Sequence, residues 1–371
     1  MLRRIALVAA FFVCVSTVGA APYYTNRAKR AAVLWASPNV PVQYYVSSET
    51  IGRFSKDQVI ALLTEVVGIW ENEHSPTLPQ LRLGGGQEVW DGTYNTLPNR
   101  TRSIHVVFDQ NNAIARHYSV SAEKTFGLTK VRPTQDGSGI DSAVIALTPA
   151  GIADKTLDDL REYLLHELGH ALGLGHVLVH SGQELRSGSY APHVPVMFPY
   201  IYKGAGRRSL RLSERAWFAF LYSRAVTPSM NIGVVRGKLV DVNNAGVSGV
   251  NVVAVRRSAE ALDDDARVSC LSGYTGEPGE YALPLPPGDY QIFVESIPEA
   301  HELPQGMRPF VNLSDIGPQL IAPPSPPQFL PHSPNVQKHE PEMLTRAGEI
   351  VAGELRNLIA GETRNVTLRL R

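Results

Sequence analysis

The segment His166-Glu167-Leu168-Gly169-His170-Ala171-Leu172-Gly173-Leu174-Gly175-His176 holds the residues best suited to chemistry. On an α-helix, residues four apart stand one turn above each other on one face. His166 and His170 therefore point the same way and can share one ion. Glu167 is turned about 100° from His166 at helical pitch, so it is free to face a water instead. Gly173 can take a positive φ and end the helix sharply. The turn then brings His176 back as a third ligand. Three nitrogens and one open position make a catalytic zinc site, not a closed structural one. Such a zinc lowers the pKa of its water to about 7 and polarises a carbonyl. The expected chemistry is hydrolysis, with Glu167 as the general base that takes the water's proton and passes it to the leaving amine. The competing reading is a helix with solvated histidines.

Local signals upstream supply a frame for this segment. Thr156 with Asp159 caps the helix, and Leu157, Leu160, Leu164, Leu165, Leu168 and Leu172 are expected to bury one side of it. Val42, Tyr44 and Val46 alternate within a strand from Pro41 to Ser47. Ser55 and Gln58 form a capping box. After them Val59, Leu62, Leu63, Val66, Ile69 and Trp70 keep helical spacing. Ile104 to Phe108 and Ser142 to Leu147 read as short apolar strands. A third helix begins at Ser213 and turns Trp217, Phe220 and Leu221 inward. Strand, helix, strands, helix, helix is the order of an α/β (α+β) layer design with a mixed sheet and three main helices.

Beyond a linker from Val226 to Asn231 the pattern changes to all-β. Val234 to Val242, Gly249 to Val255, Gly279 to Leu285 and Asp289 to Glu295 are short strand-like runs, and Asn365 to Leu370 reads as a closing strand. A small β-sandwich is expected. Residues 298–345 hold eleven of the 27 prolines and read as an extended or disordered insertion. Because every candidate site residue precedes the linker, residues 22–226 are expected to fold and act alone.

Composition bounds the function class. At 371 residues, two domains are expected. A net charge of zero gives no pointer to nucleic acid or an anionic membrane. Arg3, Arg4, the apolar run from Ile5 to Val13 and Val18-Gly19-Ala20 read as a signal peptide over residues 1–20. A membrane anchor is the other reading, though the run is short for a span. The mature chain is thus expected to be secreted, or periplasmic or at the cell surface, with no membrane span. It keeps one cysteine, Cys270, so it forms no internal disulfide. Asn99, Asn312 and Asn365 lie in glycosylation sequons.

The histidine motif resembles that of the metzincin zinc metallopeptidases, and its surroundings are similar to the matrixin branch. Val196-Met197-Phe198-Pro199-Tyr200 resembles the matrixin Met-turn, which implies that Met197 forms an apolar floor beneath the histidines. Leu212-Ser213-Glu214 through Leu221-Tyr222 resembles the family's closing helix, and Trp35, Tyr44 and Trp70 fall on its opening strand and helix. The resemblance implies a zincin catalytic domain over residues 33–226. The implied function is a secreted endopeptidase with one catalytic zinc, acting on protein or peptide substrates. His117, Asp136, Gly137, Gly139 and Asp141 lie where matrixins carry further metal sites, but without the family's His-Gly-Asp pattern. A calcium (Ca2+) loop from Asp136 to Asp141 and a solvated turn are both open readings. His180 and His193 read as loop residues on the cleft rim. Fourteen residues between Ala20 and Trp35 are too few for a folded prodomain, so activity without processing is expected.

Residues 232–297 plus 346–371 resemble the carboxypeptidase regulatory-like domain, a transthyretin-like sandwich. The resemblance rests on Gly237-Lys238-Leu239-Val240-Asp241, Gly279-Glu280-Tyr281 and Pro286-Pro287-Gly288-Asp289-Tyr290. It implies binding to a surface or matrix partner, or a packing module alone. The alternative for the whole chain is an extracellular binding or adhesion protein with an inactive zincin fold. Intact Glu167, His166, His170 and His176 argue for the enzyme.

Overall fold

The computed structural model describes residues 23, 25–26, 31–73, 78–85, 90–98, 100–119, 126–177, 195–198, 208–222, 232–256, 267–273, 277–295, 353–359 and 361–369. The expected signal peptide, linker and proline-rich insertion, and His180 and His193, lie outside these residues. The fold is mixed α/β, with several sheets and five α-helices among the described residues. None of those helices is long and apolar enough to cross a membrane.

The chain enters through two short paired strands, β1 (Thr25–Asn26) and β2 (Ala31–Ala32). Then come β3 (Leu34–Trp35), β4 (Val42–Val46) and a small antiparallel pair, β5 (Thr50–Ile51) with β6 (Phe54–Ser55). Helix α1 (Lys56–Glu71) starts at the capping box that its sequence announces. Gln58 N donates to Ser55 Oγ over 3.3 Å, and Ser55 N donates to Gln58 Oε1 over 3.0 Å. Next are β7 (Leu81–Leu83), β8 (Ser103–Phe108), the short α2 (Ala113–His117), β9 (Gly127–Pro133) and β10 (Gly139–Leu147). The short α3 (Pro149–Ile152) and the long α4 (Leu157–Ala171) follow, then α5 (Leu212–Tyr222).

The main sheet runs β7-β4-β8-β10, all parallel, with β9 antiparallel on the outer edge of β10 and β3 beside its start. Ile104 sits in register between Tyr44 and Ala143. From Ser142 to Leu147 every residue of β10 is buried, as a strand covered on both faces requires. On one face α1 and α4 pack together, and Trp70 Nε1 donates to Leu165 O over 3.1 Å. On the other, Trp90 and Ile114 close over Val107, Val144 and Ala146. The apolar stripe of α4 becomes a buried face only from Leu160 onward. Leu157, at the helix's first position, is 37% exposed, contrary to the sequence expectation.

Strands β11 (Gly233–Val240), β12 (Asn251–Arg256), β13 (Arg267–Leu271), β14 (Glu280–Leu285), β15 (Gly288–Glu295), β16 (Gly353–Leu358) and β17 (Thr363–Arg369) form two further sheets. Their orders are β14-β11-β17 and β13-β12-β15-β16. All pairs are antiparallel except β11 with β17. Val252, Ala254, Leu283, Ile292 and Leu368 belong to the same continuous buried cluster as Trp70, Leu168 and Trp217. The junction is α5 against β13 and β14. There Trp217 Nε1 donates to Ser269 O over 3.0 Å.

Candidate metal centre

Helix α4 carries His166, Glu167 and His170, all buried although all are polar. Its capping box is complete. Asp159 N donates to Thr156 Oγ1 over 3.2 Å, and Thr156 N donates to Asp159 Oδ2 over 2.8 Å. At the other end Gly173 takes a φ of +94°. Leu174 N donates to Gly169 O over 3.0 Å, and Gly173 N donates to His170 O over 2.9 Å. These two bonds make a Schellman ending, which needs a left-handed residue where Gly173 stands. A Cβ there would also meet Val33 O at 2.9 Å. The reversal returns His176 to the face from which the other two histidines project.

The three histidines present ligand atoms that lie within 4.8 Å of one another. Their ring centroids are 4.6, 5.3 and 4.6 Å apart for His166–His170, His166–His176 and His170–His176. His166 Nδ1 stands 2.6 Å from Val196 O, and His170 Nδ1 stands 2.9 Å from Leu174 O. A carbonyl oxygen only accepts, so each Nδ1 carries the proton and each Nε2 keeps its lone pair. His170 Nε2 and His176 Nε2 are 3.1 Å apart. Two nitrogens bound to one tetrahedral zinc lie about 3.3 Å apart, so the spacing suits the ion. Burial lowers the pKa of His170 to about 4, against its bond to Leu174 O. Burial, then the charges of His170 and His166, holds His176 well below its usual value. His170 and His176 are therefore neutral at physiological pH, the form that binds a divalent cation. Donor type, tautomer and spacing all fit zinc.

Met197, fully buried, lies against α4 at Gly169. A Cβ on Gly169 would collide with the Met197 sulfur and reach the Trp70 ring at 2.9 Å, so glycine is what lets the methionine come up to the helix. Met197 is fixed on both backbone sides. Its N–H donates to Glu214 Oε1 over 2.8 Å, and its carbonyl accepts from Val177 N over 3.1 Å. Glu214, itself fully buried, also accepts from Arg211 N over 2.7 Å. Helix α5 thus anchors the Met197 backbone at its start. At its end Tyr222 Oη donates to Leu172 O over 2.7 Å. Trp35 Nε1 donates to Ala171 O over 2.9 Å. Tyr23 makes an antiparallel bridge to Leu174 and lays its ring 5.6 Å from Trp217 and 6.3 Å from Phe220. Tyr23 thus touches both the turn after α4 and the closing helix α5.

The Glu167 carboxylate reaches β9. Thr129 Oγ1 donates to Glu167 Oε2 over 2.6 Å and lies 3.1 Å from Glu167 O. A Cβ on Gly127 would come within 2.7 Å of Glu167 Oε1. Burial raises the carboxyl to about 7, against the Thr129 hydrogen bond. A base so poised exchanges a proton near neutral pH.

The structure thus brings His166, His170, His176, Glu167, Met197 and Gly173 together. It does not bring in the upstream candidates. His117 stacks on Tyr94 with centroids 3.5 Å apart. Asp136 accepts from Thr134 Oγ1, Ser138 N and Ser138 Oγ at 2.7, 3.1 and 2.8 Å, closing the turn between β9 and β10. Asp141 pairs with Arg132. Both carboxylates are thus engaged by groups of the hairpin itself. Sequence reasoning gave no role to Thr129, Gly127 or Glu214. The first two lie in a strand whose Lys130, Arg132 and Pro133 hide it, and Glu214 reads as an ordinary first-turn acid. Compared with protein-family models and with curated proteins, the chain matches none.

Proposed function

We propose that this chain is a zinc-dependent endopeptidase with a metzincin fold close to the matrixin type. The observation that carries the reading is the convergence of three imidazoles with a buried carboxylate on the same helix. His166, His170 and His176 would hold the zinc, whose chemistry is to act as a Lewis acid toward water and the scissile carbonyl. Glu167 serves as general base, taking a proton from the attacking water and passing it to the leaving amine. Met197 and Glu214 keep the histidines on a dry, rigid floor. Peptide is favoured as substrate because β9 is an antiparallel edge strand running past Glu167. An extended peptide can add to such an edge by main-chain hydrogen bonds.

The two C-terminal sheets support the transthyretin-like sandwich, with a surface or matrix partner as its binding role. The signal-like start supports secretion. The test is digestion of a mixed peptide library, read by mass spectrometry, with matched metal analysis. The protein should carry one zinc per chain and cut internal peptide bonds, and a chelator should stop it. Absence of both zinc and cleavage in the folded protein overturns the reading.

A further inference from the structure

Thr129 and Gly127 stand two apart on β9, so they share one face of the strand, and that face meets Glu167 on α4. Glu167 is buried, and a glutamate side chain has three torsions with which to wander. Among the described residues, Thr129 is the one side chain that hydrogen-bonds its carboxylate. The bond is 2.6 Å long and made by a residue only 3% exposed, so little water competes for it. It engages Oε2. The other oxygen, Oε1, lies over Gly127, where the missing side chain leaves room that a Cβ would fill.

We propose that Thr129 is a positioning residue for the base: its hydroxyl pins Oε2 of Glu167, and Gly127 keeps the space at Oε1 open, so that Oε1 is the oxygen that accepts the proton. The proposal rests on the endopeptidase reading. The division of labour has a simple chemical ground. A carboxylate that accepts a proton through either oxygen must be oriented again at each turnover. One tied by a neutral hydroxyl keeps its charge and presents a single lone-pair edge. The same hydroxyl sits 3.1 Å from Glu167 O, so β9 also registers the backbone of the metal helix. A Val at 129 would keep the shape and the β-branch but lose the donor. A Ser would keep the donor.

The full-length zinc-loaded protein and its metal-free form are both tested. For Thr129→Val, kcat should fall about tenfold to a hundredfold with KM nearly unchanged, the size expected when a reacting group is misplaced by about 1 Å. Zinc content should stay at the wild-type level. Thr129→Ser should recover kcat to within a few-fold. Gly127→Ala should also lose kcat although Thr129 is intact. Crystal structures of the metal-free proteins supply a readout independent of activity. The Glu167 carboxylate should leave its place in Thr129→Val and Gly127→Ala, and keep it in Thr129→Ser. Wild-type kcat in Thr129→Val, or a Ser variant as slow as the Val variant, overturns the proposal. If Thr129→Val does not fold, the Ser and Gly127→Ala variants decide it by the same criteria. If the wild-type protein cleaves no peptide, the endopeptidase reading fails, and the crystallographic comparison alone tells whether Thr129 holds Glu167.

Discussion

Trp217, on the helix that anchors Met197, donates its indole N–H to the carbonyl of Ser269, 52 residues further along the chain. Trp217 is fully buried, and its cover comes from Tyr23 on one side and from β13 and β14 in the C-terminal sheets. About one turn of α5, from Trp217 back to Glu214, therefore connects the C-terminal sheets to the amide of Met197. A fragment ending at residue 226 should accordingly be aggregation-prone or poor in zinc, not a free-standing enzyme. This departs from what the linker alone suggested. In the full chain, Trp217→Phe should cost about 1 kcal/mol for the lost hydrogen bond and Trp217→Ala about 3–5 kcal/mol for the cavity, read by chemical denaturation. A soluble, zinc-loaded fragment of wild-type stability would show the contact to be incidental.

His170→Ala should leave the protein with less than one tenth of the wild-type zinc after dialysis. Its Nδ1 bond to Leu174 O holds the His176 turn as well as supplying a ligand, so both are lost together. Elemental analysis checks this, and equal zinc in the two proteins would remove His170 from the site.

Glu167→Ala should bind zinc normally and lose about 100- to 10,000-fold in peptide hydrolysis, the usual cost of removing a general base. Turnover of a library-derived peptide measures it. A near wild-type rate would mean that another group takes the proton.

Much of this arrangement was legible beforehand. Both capping boxes, the strand from Val42 to Val46 and the turn at Gly173 are local devices, set by residues three or four apart in sequence. What escaped depends on distance. β9 is a half-exposed edge strand mixing Thr, Lys, Arg and Pro, and its role comes from lying against α4, not from any period of its own. Glu214 is fully buried and accepts from the Met197 amide, 17 residues away, a partner that its sequence neighbours do not foretell. The continuous core beneath α5 was hidden for the same reason, since Trp217 meets Ser269 only in the folded chain.

Glu214→Ala should destabilise the protein by about 1–3 kcal/mol, because two buried backbone N–H groups lose their acceptor. Glu214→Gln keeps one accepting oxygen and should cost less. Thermal melts of the three proteins give the order, and an unchanged Ala variant would mean that Met197 finds another acceptor.

The metal-free protein should also reveal Glu167 through pH. The carboxyl ionises near 4.5 when unfolded and near 7 when folded. Between those values the folded state holds a proton that the unfolded state lacks, so raising the pH favours unfolding through this group. Glu167→Gln should therefore be more stable than wild type at pH 8, by an amount on the order of 3 kcal/mol, and the gap should close as pH falls below 4.5. A gap independent of pH would mean that the carboxyl is not desolvated.

The bond from Trp217 to Ser269 also sets a schedule. Synthesis runs from the N-terminus, at about 5–20 residues per second, so the metal helix emerges well before the strands that cover α5. Until β13 and β14 arrive, Trp217 lacks half its cover and the floor held by Glu214 rests on an unfinished helix face. Strands made later thus cover the helix that anchors Met197 beside α4. On the proposed reading, a nascent chain carries all three histidines before the strands that cover α5 are made, so a competent centre would wait for them.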